Sequence, residues 1–591
     1  MALSEGPSPA ASGMKKPRRS LGLVLGVVVL AAACAHRPPS APSVSGQAMG
    51  TGHPQWDQFV DGFLEQYYKD HPSYAIQLGR HEFDGRLPDW RATALQDLAA
   101  RLHAARTQAL TFNALTPNAR FERDYLIAQL DRELFWLEEA GWPHKNPLYY
   151  SDALDPNVYV VRAYAPPADR LKAYVGYAEA VPTAVAQIRQ NLAGPLPRTY
   201  LDLGVTLFGG LADYYEKAVP AAFASVSDAP LQARFRAANA RAASEMRGIV
   251  AWLHGKRRTA PGRYALGAER FRAMLRATES VDLPLDRLEQ AGWDDMARNL
   301  SALRAACDRY LPSEDLKACV ARMRLTKPAG GPVAEARRQL PVLKRFVESR
   351  GLVTIPGTEE AEVAESPPYQ RWNPAYIDIP GPFEHGLASI YYVAPPDPKW
   401  SPLERSAYVP AEADLVFISA HEVWPGHFLQ NLHAHRARSR LAQVFVGYGF
   451  SEGWAHYAEE LMWEAGFRHG DPAAQIGQLL NALLRNARYL SAIGLHTQGM
   501  TVAESERMFR ELAFQDPANA RQQAARGTFD PAYLNYTLGK LMIRKLRDDW
   551  TRRHGGPSGW RTFHDRLLSY GAPPIPLVRR EMLGPAAGPA L

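Results

Sequence analysis

The chain is short of cysteine, of long apolar runs and of net charge, and each shortage closes a route to function. Three cysteines occur in 591 residues: Cys34, Cys307 and Cys319. Neither Cys307 nor Cys319 belongs to a CxxC pair or stands near a histidine, which argues against a zinc site held by them. Cys307 and Cys319 flank the turn Pro312-Ser313-Glu314-Asp315. In an oxidising compartment they either pair and close a short loop or stay as two buried thiols. The apolar run at 21–33 has thirteen residues, too few for an ordinary membrane span. The formal charge is +7, and it falls to +4 once the first 33 residues, with four basic groups and Glu5, are set aside. That mild excess, with no long basic run behind it, gives no reason to expect a nucleic-acid partner. Regular strand–helix alternation is also missing, so a doubly wound sheet is not expected.

What is present is helix. Residues 95–113, 121–140, 168–192 and 232–252 carry apolar side chains at helical spacing with charged opposite faces. Pro182 predicts a kink or a break in the third. The N-terminus reads as an export signal: Lys15, Lys16, Arg18 and Arg19 precede the apolar run, and Ala31-Ala32-Ala33-Cys34 follows it. This resembles a bacterial lipoprotein signal, with Ala31 where leucine is usual, and implies lipidation of Cys34. Cleavage at an Ala-x-Ala site is the alternative, and either way the protein is exported. Ala35 in place of aspartate resembles the sorting pattern of outer-membrane lipoproteins in two-membrane bacteria. The expected organisation is a signal at 1–33, a Pro/Ser/Gly-rich tether at 34–52, a helical lobe at 53–350 and a catalytic lobe at 351–591. The fold class is mostly α, large and two-lobed, with a small β element near the active site. That element is the segment 387–393, bounded by Gly386 and Pro395.

Chemistry concentrates in His421-Glu422-Val423-Trp424-Pro425-Gly426-His427 and in Glu452-Gly453-Trp454-Ala455-His456-Tyr457-Ala458-Glu459. Two neutral imidazoles and a carboxylate form a zinc-binding set that leaves one position open. His421, His427 and Glu452 supply it. Glu422, beside the first histidine, is then the base that takes a proton from the attacking water. In HExxH the two histidines are four residues apart and share a helix face; here they are six apart, about 600° of a straight helix. A straight helix therefore cannot bring them together. Pro425 lacks the amide hydrogen owed to the His421 carbonyl, and Gly426 accepts unusual backbone angles. A kink or bulge there can return His427 to His421. The plain alternative is a helix end with two unrelated histidines. Gly453 and Ala455 are small enough for close helix packing. Glu459, two turns beyond Glu452, can hold a ligand in place.

The second motif resembles the Glu-Gly-Phe-Ala helix of zinc aminopeptidases. Together, His-Glu-x-x-Pro-Gly-His-x-x-Gln, completed by Gln430, and Glu-Gly-Trp-Ala-x-Tyr-x-Glu resemble the bacterial family called domain of unknown function 885, grouped with the zinc peptidases. Pro72-Ser73-Tyr74-Ala75-Ile76-Gln77-Leu78-Gly79 resembles its opening motif, Gly494-Leu495-His496 an internal element with Ala492 replacing the usual acid, and Tyr536-Thr537-Leu538-Gly539-Lys540-Leu541 its closing motif. The resemblance implies a helical zinc-peptidase-like fold, a Zn²⁺ cofactor and a peptide substrate. Tyr536, or Tyr533 or His496, is the expected donor to the developing oxyanion. Arg526 is expected to bind a substrate carboxylate. The strand carrying Tyr391 either pairs with an extended substrate or is an ordinary edge strand.

Two rivals use the same region. Gly449-Phe450-Ser451-Glu452-Gly453 matches the serine-hydrolase elbow GxSxG, with 444–450 as the strand before it. A catalytically inactive scaffold that binds peptides in the envelope is the other. The anchor is tested by palmitate labelling, expected in the expressed protein and absent from Cys34→Ser. An unmodified mature terminus downstream of Cys34 rules it out.

Overall fold

The computed structural model describes residues 50–591 apart from 368, 369, 372, 397 and 399. The signal segment, Cys34 and most of the tether lie outside the described residues. The protein is mostly helical with one small three-stranded sheet. Among the described residues no helix is long and apolar enough to cross a membrane.

Apolar periodicity decides the helices. The four stretches expected from the sequence form as Ala92–Thr111, Pro117–Leu134, Pro167–Asn191 and Ala229–Lys256. Pro182 stands inside the third, which runs on as one element. Thr116 and Asp228 start two of them by accepting a backbone N–H from three residues on.

Two hydrophobic cores organise these elements. One gathers side chains from Trp56 to Leu253 and includes Ala437, Leu441, Ala442, Val444 and Phe445 from far down the chain. The other runs from Phe271 to Met582 and also takes Phe135 and Ala140. The helices Leu285–Tyr310 and Gly331–Arg350 thus share a core with the segment that carries the chemical motifs. Cys307 and Cys319 are disulfide-bonded, with Cα atoms 5.8 Å apart, and tie Leu285–Tyr310 to Leu316–Arg324.

The sheet consists of β1 (Ala361–Glu365), β2 (Ala375–Asp378) and β3 (Ser389–Val393) in the order β1-β3-β2. β3 pairs in parallel with β1 and antiparallel with β2. The strand expected at 387–393 therefore exists, but it is central. Both its edges are taken, so neither of its expected roles, substrate pairing or edge strand, is available to it.

Two helices cross unusually closely behind the motif region. Tyr448–Glu464, the glutamate helix, meets Asn535–Thr551, the tyrosine helix, at Gly449, Gly453 and Gly539. A Cβ on Gly453 would lie 2.5 Å from the Gly539 Cα, and one on Gly539 would run into the Gly449 carbonyl oxygen. The next residue, Lys540, is fully buried and places Nζ 2.6 Å from Asp295 Oδ2 and 3.5 Å from Glu460 Oε2. Arg298 bonds both carboxylates, so the crossing is locked by a charged cluster that also captures Leu285–Tyr310. Gly539→Ala is expected to force the two helices apart and cost about 1–3 kcal/mol of stability, the usual range for overpacking. A lowered thermal midpoint in calorimetry checks this, whereas an unchanged one would mean that the crossing tolerates a methyl group.

Candidate metal centre

His421 and Glu422 are the last two residues of the helix Glu412–Glu422, and His427 is the first of the next helix, His427–Ala434. The break between them answers the spacing problem posed by the sequence. The chain turns through Val423, Trp424 and a cis Trp424–Pro425 bond, and the Gly426 N–H returns to the Ala420 carbonyl at 2.9 Å. A Cβ on Gly426 would run into the His421 carbonyl. Glycine is needed here for close approach, since its φ of −75° is open to any residue. The turn is held from outside by Trp454, whose indole N–H donates to the Pro425 carbonyl at 2.9 Å.

The two imidazoles consequently face each other edge to face, with ring centroids 4.8 Å apart. Glu452, from the first turn of the glutamate helix, meets both: its Oε2 is 3.2 Å from His421 Nε2 and 3.3 Å from His427 Nε2. The three donor atoms lie within 4.8 Å of one another. Ligands placed ~2.0–2.1 Å from a tetrahedral ion stand about 3.3 Å apart, so the donor types and spacings fit a zinc-sized cation. The far nitrogens are occupied as well. His421 Nδ1 lies 2.8 Å from Glu459 Oε1, and His427 Nδ1 lies 3.2 Å from Ser451 Oγ. Bonds of this kind fix ring orientation and leave Nε2 for a metal.

Glu459 is fully buried, yet ionised. Burial opposes its charge, but Arg485, with Nη2 at 3.0 Å, and the His421 and His456 rings hold its carboxyl far below the usual range. Arg485 is fixed in turn by donating to the Asn481 carbonyl and side-chain oxygens at 3.0 and 2.8 Å. Burial also opposes protonation of His421, but Glu452 and Glu459 outweigh it and push the imidazole up to about 9. A cation held by these residues would take the place of that proton. Glu452 is likewise held well below its ordinary value: burial works against its ionisation, and His427 and His421 overcome it. Burial shifts Glu422 the other way, upward, despite the two imidazoles beside it.

The centre opens into a cleft of about 620 Å³. Glu422, Tyr536 and Arg526, the candidates for base, oxyanion donor and carboxylate binder, all line it. The Tyr536 ring lies parallel to His421 with centroids 6.2 Å apart. Arg526 is held by Asp530 at 2.9 Å and by the Tyr448 hydroxyl at 3.0 Å. All four residues of β2 line the opposite wall.

Two expected site residues are elsewhere. His496 is buried away from the cleft, with Nε2 at 2.7 Å from the Gly527 carbonyl and Nδ1 accepting the Leu266 N–H at 3.2 Å. Burial pushes it down to about 4, so it is a neutral ring joining three segments. Tyr391 is completely buried in the central strand, with its hydroxyl 3.4 Å from Ser419 Oγ, and it does not reach the cleft. Tyr533, the alternative to Tyr536, is also fully buried outside the cleft. The structure adds Asn481, Arg485 and Arg488, all on the helix Pro472–Thr497 and all facing the cleft. Their i, i+4, i+7 spacing marks a polar stripe along one face of the helix, the signal that could have revealed them. Ser451 lies within the glutamate helix, preceded at Val446 by an isolated bridge to Ala572, so the strand that a serine elbow requires at 444–450 does not form.

Helical sheath, broken histidine motif and paired carboxylate place the chain in a recognisable group. It belongs to the family described as bacterial protein of unknown function, DUF885, which matches over residues 72–582. Two solved structures share the fold. A "putative lipoprotein of unknown function" from Shewanella oneidensis has a TM-score of 0.73 at 22% identity, covering 89% of this chain and 99% of its own. A "putative lipoprotein" from Colwellia psychrerythraea has a TM-score of 0.75 at 15% identity, covering 89% and 98%. No curated protein matches the chain.

Glu459→Gln is expected to weaken metal affinity about 10- to 100-fold, the usual effect of losing the carboxylate behind a histidine ligand. Gly426→Ala, which touches no ligand, should lower metal content more severely. Both are read by metal analysis after dialysis against a graded chelator; wild-type retention in both variants would detach the turn and Glu459 from the metal.

Proposed function

We propose that this protein is a zinc-dependent hydrolase of peptide bonds, exported and held by a lipid anchor in the cell envelope, on the periplasmic face of the outer membrane. The observation that carries the reading is the convergence of His421, His427 and Glu452 on one point at ligand spacing, with Glu422 in the same cleft wall. A zinc ion held by those three residues would supply Lewis acidity and make a nearby water acidic enough to attack at neutral pH. The chain's own groups account for the rest. Glu422, raised by burial, is suited to take the proton of the attacking water and give it to the leaving amine. Tyr536, beside His421 at the cleft, is placed to donate to the carbonyl oxygen as it becomes negative. β2 has β3 on one side only, and its residues border the cleft, so its other edge can pair with an extended peptide. This is the role the sequence had suggested for the neighbouring strand. The basic and apolar segment ending at Cys34, together with two structural neighbours described as lipoproteins, supports the anchor.

A second reading has one specific support. Ser451 Oγ, His427 and Glu452 form a continuous chain of contacts, 3.2 Å to Nδ1 and 3.3 Å from Nε2 to the carboxylate, the connectivity of a serine hydrolase. One set of variants separates the two. Glu422→Gln is expected to retain zinc and lose peptide hydrolysis by at least ~10²-fold, the usual worth of a positioned general base. Glu452→Ala should lose the metal. Wild-type turnover by Glu422→Gln sinks the metal mechanism, and fluorophosphonate labelling of Ser451 in the presence of chelator establishes the serine alternative.

A further inference from the structure

Four arginines line the cleft: Arg162, Arg485, Arg488 and Arg526. Three are neutralised. Arg162 bonds Asp378 at 2.7 Å and Glu384 at 3.1 Å, Arg485 takes Glu459 at 3.0 Å, and Arg526 takes Asp530 at 2.9 Å. Arg488 differs. Its side chain is 9% exposed, its Nε donates to the neutral Gln523 Oε1 at 2.8 Å, and its guanidinium lies 4.7 Å from the centroid of the Tyr536 ring. Among the described residues no carboxylate pairs with it. A buried guanidinium is permanently charged, and burying it without a counter-ion is costly. An anion from outside the chain can complete this site.

Position narrows the kind of anion. The Tyr536 ring neighbours both Arg488, whose guanidinium is 4.7 Å from its centroid, and His421, whose ring centroid is 6.2 Å away. The carbonyl to be attacked would lie near His421, and an extended peptide advances ~3.3–3.6 Å per residue. A carboxylate one or two residues beyond the scissile bond therefore reaches Arg488. Arg526 lies 5.9 Å from the same ring but is already paired with Asp530, which leaves Arg488 as the guanidinium open to an anion. Resting on the peptide-hydrolase reading, we propose that Arg488 binds the terminal carboxylate of the substrate, so that the protein works as a carboxypeptidase removing one or two residues from the C-terminal end. The fork geometry of guanidinium suits a carboxylate, which it can hold by two parallel N–H···O bonds. An acidic side chain near the scissile bond offers the same chemistry from another source.

The test uses the mature, zinc-loaded protein and N-acetylated hexapeptides in three forms: a free C-terminal acid, the matching C-terminal amide, and an amide carrying glutamate next to the end. The free acid is expected to be cleaved with kcat/KM at least ~100-fold above the plain amide, consistent with losing one partner of a buried charge pair. Arg488→Met should remove most of that preference by raising KM, and Arg488→Lys should restore only part of it. Equal cleavage of acid and amide overturns the proposal. So does a glutamate-bearing amide that matches the free acid, since the side chain would then be what is read. Calorimetric binding of the same peptides to Glu422→Gln gives a readout free of turnover. Acid-selective binding that Arg488→Met abolishes upholds carboxylate recognition even where no peptide is cut, and in that case only the hydrolase reading fails. Binding indifferent to the C-terminal group overturns the carboxylate site by itself.

Discussion

The contact on which the centre depends most is the one between Glu459 and His421. A carboxylate without solvent exposure is stable as an anion only when paired. Glu459 meets both His421 and Arg485 through its Oε1, while its Oε2 is buried without a hydrogen-bond partner among the described residues. Because Glu459 takes Nδ1, the His421 ring must present Nε2 to Glu452 and the cleft. Glu459 and Glu452 lie seven residues apart on one helix, so a single rigid element sets both the ring's orientation and the third donor. Removing one member of such a buried set leaves a bare charge, which typically costs several kcal/mol. The centre is therefore a linked unit.

That unit needs the glutamate helix to be placed accurately, and the glycine crossing does this. Gly449, Gly453 and Gly539 bring two backbones into contact, so the tyrosine helix can take few other positions. Tyr536 sits one turn before the crossing and Lys540 directly after it. One therefore faces the cleft, and the other is fully buried against Asp295 and Glu460. Glu279 adds a further constraint: its buried carboxylate accepts the Gly449 N–H at the start of the glutamate helix and the Asn535 amide at 2.6 Å, tying both helices to a third. Burial raises this group to about 7, despite those bonds.

The parts legible in the sequence are those whose residue types carry their own geometry. Helical periodicity gave the helices of the first core. Pro425 and Gly426 announced a break, because one lacks a donor and the other lacks a side chain. The histidines and Glu452 were recognisable as ligand types only when taken together. What stayed hidden depends on distant packing. A run such as 387–393 declares a strand, but its place in a sheet depends on β1 and β2, and Tyr391 went to the interior with it. His496 looks reactive in one dimension; its actual partners, Leu266 and Gly527, come from far along the chain. Arg488 was masked by its setting, since a basic residue on an apolar helix reads as a surface group until the helix is seen to be buried.

The charge distribution of the cleft bears on whether the centre is a relic. Glu422, Glu452 and Glu459 gather around two imidazoles, and Glu452 opposes ionisation of Glu422. A core freed from functional demand loses little by replacing such groups with apolar ones, and often gains stability. Here the acidic groups remain, arranged so that Glu459 and Arg485 neutralise each other while Glu452 and Glu422 face the cleft. Like charges aimed at one small volume are stabilised by a cation within it. Arg488, beside Tyr536, presents the opposite problem, a guanidinium with no carboxylate partner among the described residues. An acidic cluster and a guanidinium without a carboxylate partner thus neighbour one tyrosine ring in the same cleft, and a ligand that meets both has a defined direction in it.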